Sequence, residues 1–288
     1  MSPDKIQAAA EKMFELFAKH QLKQNWGITN ACTGMRLVSE FSNVNLTSAS
    51  GDAGRYAAST MSDWQAFIES VPWFIDADAD VRVSKPHDGR HLSSAVADIY
   101  PSLAKLLAQA IVTPVSVNDA RYELFAWDAV EGYRIGWLCF PPAADLPDSI
   151  HADHAELLRS FGGVIERFNE PEDTWLLNHN DALTAREASH DASFINDYMW
   201  AFTDAGVELP IRPTDYYSVA REANGNTTLC HRTTGEVILF APDHAFDFVT
   251  PLDGCPEYTL YKLNGVSTLS DWVDAVAMQW LTHTAKAA

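Results

Sequence analysis

Asn224-Gly225 stands between Tyr216-Tyr217-Ser218-Val219-Ala220-Arg221 and Thr227-Thr228-Leu229-Cys230-His231. It is the strongest short constraint on the fold. Two β-rich runs joined by Asn-Gly read as an antiparallel hairpin, because both central positions of a type I′ turn need positive φ, which these residues adopt at low cost. Gly235 introduces a third strand over 236–240, and 258–263 supplies a fourth. A hairpin-linked series of this kind needs an apolar cover on its inner face. Leu269, Trp272, Val273, Val276 and Trp280 provide one at helical spacing, opened by a capping-box-like Thr268 with Asp271 three residues on.

Further elements follow the same logic. A helix opens at Pro101 and carries Leu103, Leu106, Leu107, Ala110 and Ile111 on one face. Aromatic-rich strands are expected near 121–128 and 132–140, joined through Gly132 as a hairpin. A helix over 149–161 has Asp148 as its N-cap and Gly162-Gly163 as a left-handed stop, and short strands follow at 164–168 and 174–178. The stretch 187–202 reads as helical, as do 5–22 and a short segment from Ser62 to Pro72, and 35–41 reads as a strand. Sequential hairpins flanked by helices make the chain α+β, with a mainly antiparallel sheet. The polar, turn-rich Lys85-Pro-His-Asp-Gly-Arg90 marks a boundary. Residues 1–94 are then an N-terminal α/β extension or small subdomain, and 95–288 the main domain.

Charge narrows the function. The chain carries 39 acidic and 20 basic side chains, a formal charge of −19. Residues 1–94 contribute −2 of this and residues 95–288 contribute −17. A nucleic-acid binder needs a cationic face to displace counterions, and adhesion to anionic lipid needs the same, so both are disfavoured. A concentrated acidic domain serves solubility, or it steers towards a basic partner. Cys32, Cys139, Cys230 and Cys255 stand far apart without a CxxC pair, which fits a reducing compartment. The opening Met1-Ser2-Pro3-Asp4-Lys5-Ile6 lacks a basic region followed by an apolar run, and the longest apolar stretch, 106–117, is too short to span a bilayer. The expected location is the cytoplasm.

Chemical motifs are sparse. Asp76, Asp78 and Asp80 alternate as in a calcium loop, but Val81 and His87 occupy the positions that need Gly and Glu. A solvated strand face is the expected reading. His151 and His154 lie three apart on a helix with Asp153 and Glu156 beside them, a spacing that can place two imidazoles together for a metal-dependent hydrolase. Because they sit in polar first turns, a solvated helix face is the preferred reading, with no metal. Cys230 and His231 are neighbours on a strand and point to opposite faces, so they form no nucleophile–base dyad. No GxGxxG, GxxxxGK[ST] or GxSxG occurs.

The run Leu157-Leu158-Arg159-Ser160-Phe161-Gly162-Gly163-Val164, the strand Trp175-Leu176-Leu177-Asn178, the hairpin from Asp215 to Asn226, the strand Gly235–Phe240 and the closing helix Leu269-Ser270-Asp271-Trp272-Val273 resemble the SMI1/KNR4 (SUKH) superfamily in order and type. The resemblance covers about 95–285; residues 1–94 have no counterpart in it, and the segment between Trp175 and Asp215 is longer than usual. It implies a protein without catalysis or cofactor, of the bacterial toxin-immunity type. Such a protein would neutralise a basic, nuclease-type toxin by occluding its active site. Regulatory scaffolding is the other role the superfamily implies. The acidic loops are the candidate partner surface: Glu170, Glu172 and Asp173 in one, and Asp243, Phe246, Asp247, Phe248, Asp253 and Glu257 in the other. Both join carboxylates to turn residues or aromatics on a scaffold of strands. The alternative places Phe246 and Phe248 in the core.

Overall fold

A computed structural model describes residues 62–171, 181–243 and 248–285, all within one compact unit that begins at Met61. The expected helix over 5–22 and the strands at 35–41 and 174–178 lie outside the described residues, as do Glu172, Asp173, Phe246 and Asp247.

Eleven strands are described, all paired antiparallel. In the first half they are β1 (Val81–Val83), β2 (His87–Asp88), β3 (Ile111–Val117), β4 (Ala120–Asp128), β5 (Arg134–Cys139) and β6 (Val164–Phe168). Their order is β1-β3-β4-β5-β6, with β2 beside β1 along β3. The second half holds β7 (Tyr216–Arg221), β8 (Thr227–His231), β9 (Val237–Phe240), β10 (Val249–Pro251) and β11 (Leu260–Leu263), in the order β10-β11-β9-β8-β7. Among the described residues, the short segment 181–183 joins the halves. Ala182 bridges Val164 at the start of β6 and Ala220 near the end of β7. The α+β, mainly antiparallel architecture expected from the sequence is the one found.

Helices cover both faces. On one side α2 (Ser94–Ile99), α3 (Pro101–Ala108), α4 (Ala152–Leu158) and α7 (Leu269–His283) close the main core. That core continues under both halves through Phe125, Trp127, Trp137, Tyr217, Cys230 and Leu239, with Trp272 and Trp280 delivered from α7. Thr268 caps α7 in a full capping box with Asp271. On the other side α1 (Asp63–Ser70) lays Ala66 and Phe67 over Leu124, Leu138 and Phe168. A broken helical segment, α5 (Ala185–Ala188), a 3-10 stretch Ala192–Tyr198 and α6 (Met199–Ala205), seals Leu229, Ile238 and Phe240 with Ile195 and Phe202. The single helix expected over 187–202 is interrupted because Asp191 caps a new start by accepting from Ser193 N–H.

Three expectations change in detail. The boundary at 94 does not separate two units, since β1 and β2 pair with β3 and α1 packs on the same sheet. The type I′ turn occurs elsewhere: Asn118 and Asp119, at φ 47° and 68°, join β3 to β4. At the Asn-Gly site only Gly225 has positive φ, 97°. Glu222 N–H bonds Asn226 O, and Gly225 N–H bonds Glu222 O. That is a three-residue loop with a glycine bulge. The third change concerns Asp76 and Asp78, which are exposed in the turn before β1 rather than on a strand face, while Asp80 pairs with Arg82 at 2.6 Å.

Candidate protein-binding site

The register of the second half-sheet decides which loops meet. Phe240, at the end of β9, pairs with Thr227 at the start of β8 and with Leu260 at the start of β11. Arg221 ends β7 opposite Thr227, and Pro251 ends β10 opposite Tyr261. The connection 222–226, the start of 241–248 and the whole of 252–259 therefore leave one end of the sheet. β6 reaches the same end, because Val164 and Ala220 share Ala182 and the strand continues past them to Phe168. Glu170, Asp243, Asp253 and Glu257 are thus brought to one end. Phe248 is not: it precedes Val249, which pairs with Leu263 at the opposite end. Phe248 is 54% exposed and so is not a core residue.

A polar network underlies this end. Arg167 on β6 has a side chain only 2% exposed and pairs with Glu170 at 3.1 Å. Burial pulls its guanidinium below the ordinary arginine range, and the charges of Glu170, Glu166 and Glu222 oppose the shift. Glu166 is pushed up by burial, against the Arg167 N–H that it accepts at 3.0 Å. On the β7–β8 loop, Asn226 donates to Glu222 Oε2 at 3.0 Å and its Oδ1 accepts from Asp243 N–H at 3.4 Å. Asn224 donates to Asp243 Oδ2 at 3.2 Å. Hence Asp243 is fixed by the turn rather than free on a loop. Asp253 sits across the end and meets Lys262 at 3.3 Å, both exposed.

The 252–259 loop is firmly folded. Leu252 N–H bonds Leu260 O at 2.8 Å, Cys255 N–H bonds Leu252 O at 2.8 Å, and Thr259 Oγ donates to Pro256 O at 2.5 Å. Its tip carries Tyr258 at φ 63°, 51% exposed, beside the exposed Glu257. Sequence reading missed Tyr258, Glu222, Asn224 and Asn226 as members of this end. The last two are legible in the sequence only as turn formers, and Tyr258 reads there as the start of a strand.

The histidines are arranged differently from the expected solvated face. His154 is fully buried. Its Nε2 lies 3.3 Å from Leu183 O and its Nδ1 3.1 Å from Tyr217 Oη. A carbonyl only accepts, so Nε2 carries the proton and Nδ1 accepts from the tyrosine. Burial lowers His154 to about 4, so the ring is neutral at pH 7. Both nitrogens are therefore occupied. His151 is largely buried as well, with Nδ1 at 3.8 Å from Asp153. Cys230 is buried next to Tyr217, and burial pushes its thiol up to about 12, against the Tyr217 hydroxyl and Arg232. A thiol held so far from ionisation is a poor nucleophile. Among the described residues, no group of three or more His, Cys, Asp and Glu is placed to hold a metal ion.

Among the described residues, no helix is long and apolar enough to cross a membrane. No family model matches the chain, and no curated protein or solved structure matches it.

Proposed function

We propose that this chain is a cytoplasmic binding protein of the SMI1/KNR4 kind that neutralises a basic, nuclease-type bacterial toxin by covering its active site, with no catalysis and no cofactor of its own. The observation that carries this reading is the gathering of Glu170, Asp243, Asp253 and Glu257 at one end of an antiparallel sheet in a chain of charge −19. A nuclease cleft is cationic because its substrate is a polyanion. An acidic end supplies the complementary field, accelerates encounter and then excludes the phosphate backbone. Tyr258 adds an exposed aromatic of the type that dominates interface energetics.

The test is recovery of the partner from the native cells at low and high salt, followed by association kinetics with the purified pair. One basic, stoichiometric partner is expected, whose association slows about tenfold or more for Asp253→Lys/Glu257→Lys and loses much of its salt dependence. An acidic partner, or unchanged association kinetics in the charge-reversed variant, rejects the proposal.

A further inference from the structure

The opposite end of the second half-sheet holds a different device. β8 ends at His231 and β9 begins at Val237; the turn between them closes with His231 N–H on Glu236 O at 2.8 Å and Gly235 N–H on His231 O at 3.0 Å. Inside the turn, His231 Nδ1 accepts two backbone N–H groups, from Thr233 and from Thr234, each at 3.1 Å. This is the work usually done by an Asn, Asp or Ser oxygen at the head of a turn. An imidazole nitrogen differs in one respect. It accepts only while unprotonated, and a proton there turns the acceptor into a donor aimed at two other donors.

The turn is also a joint. Gly235 O accepts the first N–H of α7, from Leu269, at 2.8 Å. Gly235 itself lies against His151, whose Nε2 would be 2.9 Å from an added Cβ. Arg232 crosses to Ser149 O at 2.8 Å and Thr214 O at 3.1 Å, with its guanidinium over the Tyr217 ring. The turn therefore ties the β8–β9 hairpin to α7, to the segment before α4 and to the segment before β7.

The titratable and charged groups around His231 come from each of these elements. From β7, the Tyr216 ring meets the imidazole edge-on at 5.0 Å, and its hydroxyl occupies Glu236 Oε2 at 2.9 Å. Asp215 accepts Arg232 N–H through its backbone carbonyl at 2.9 Å. His151, with Asp153, faces Gly235, and Asp271 is engaged in capping α7. None of these groups replaces Nδ1 as the acceptor for Thr233 and Thr234.

We propose that the β8–β9 turn is an acid-released clasp whose catch is the neutral His231 imidazole. At neutral pH the turn is locked and holds α7 and the Ser149 segment. Protonation of Nδ1 frees the Thr233 and Thr234 amides and loosens the joint while the sheet remains folded.

The experiment is amide exchange of Thr233 and Thr234 in the full chain at about pH 8 and about pH 5, corrected for intrinsic rates. Protection of these two amides should fall on the order of tenfold in acid, while β8 and β9 core amides keep theirs. His231→Asn retains a non-titrating acceptor and should keep the turn protected at both pH values. His231→Ala should leave it unprotected at both. The nitrogen resonances of the wild-type imidazole give a second check, with Nδ1 expected as the unprotonated nitrogen at neutral pH. Equal protection of the wild type at both pH values, acid release in His231→Asn matching the wild type, or a proton on Nδ1 at neutral pH overturns the clasp.

Discussion

His154 and Tyr100 show opposite treatment of polar groups in one core. His154 gives a proton to Leu183 O and takes one from Tyr217. The Tyr100 hydroxyl is equally buried and has no hydrogen-bond partner. A buried polar atom without a partner costs free energy, whereas a satisfied one contributes modestly. Tyr100→Phe should therefore leave stability unchanged or raise it by up to about 1 kcal/mol, and Tyr217→Phe should lower it by about 1–2 kcal/mol, in denaturant titrations. His154 also couples stability to pH. Its folded value, about 4, lies below that of an exposed imidazole, so the unfolded chain takes the proton first. This contribution is complete above about pH 6.5 and is lost as pH falls towards 4, about 3 kcal/mol in all. His154→Gln should flatten that part of the stability profile; an acid limb of the same slope as the wild type counts against the assignment.

At the level of elements, the β7–β8 loop is the sensitive point, because it both closes a hairpin and holds Asp243. Gly225→Ala places a side chain at φ 97° and should cost about 1 kcal/mol or more, visible as a lowered unfolding midpoint. The hairpin, the α7 capping box and the Trp272/Trp280 stripe were legible in the sequence because each follows from local chemistry. β3 was not. Its residues Ile111–Val117 continue an apolar helix face and include Pro114. The proline is tolerated because its N side faces the gap between β1 and β2, where its carbonyl accepts Ser84 N–H at 2.9 Å. With β3 unread, the I′ turn at Asn118-Asp119 was unread as well. Of the candidate site, Glu170, Asp243, Asp253 and Glu257 were read as acidic loops, but only strand register reveals that they share an end. His154 was misplaced because a helix's polar first turn says nothing about a tyrosine arriving from a strand 63 residues away.

For the whole molecule, the compact unit starts at Met61, and its first residues are not an appendage. A fragment 61–288 should unfold in one cooperative transition. A fragment 95–288 lacks α1, β1 and β2 and uncovers Leu124, Leu138, Ile165 and Phe168, so it should bind hydrophobic dye and lose cooperative unfolding. Calorimetry and dye fluorescence of the two fragments separate these outcomes. The sheet also has a place of least width. Seven residue pairs join β3 to β4, but between β6 and β7 the connection passes through Ala182 and the backbone bonds Val164–Ala182, Leu183–Val219 and Arg221–Asp181. Under a load applied across the strands, such a seam yields before the ladders on either side. The two ladders are thus stitched along a narrow strip over a core that they share, and a pull across the strands would be felt first at Ala182.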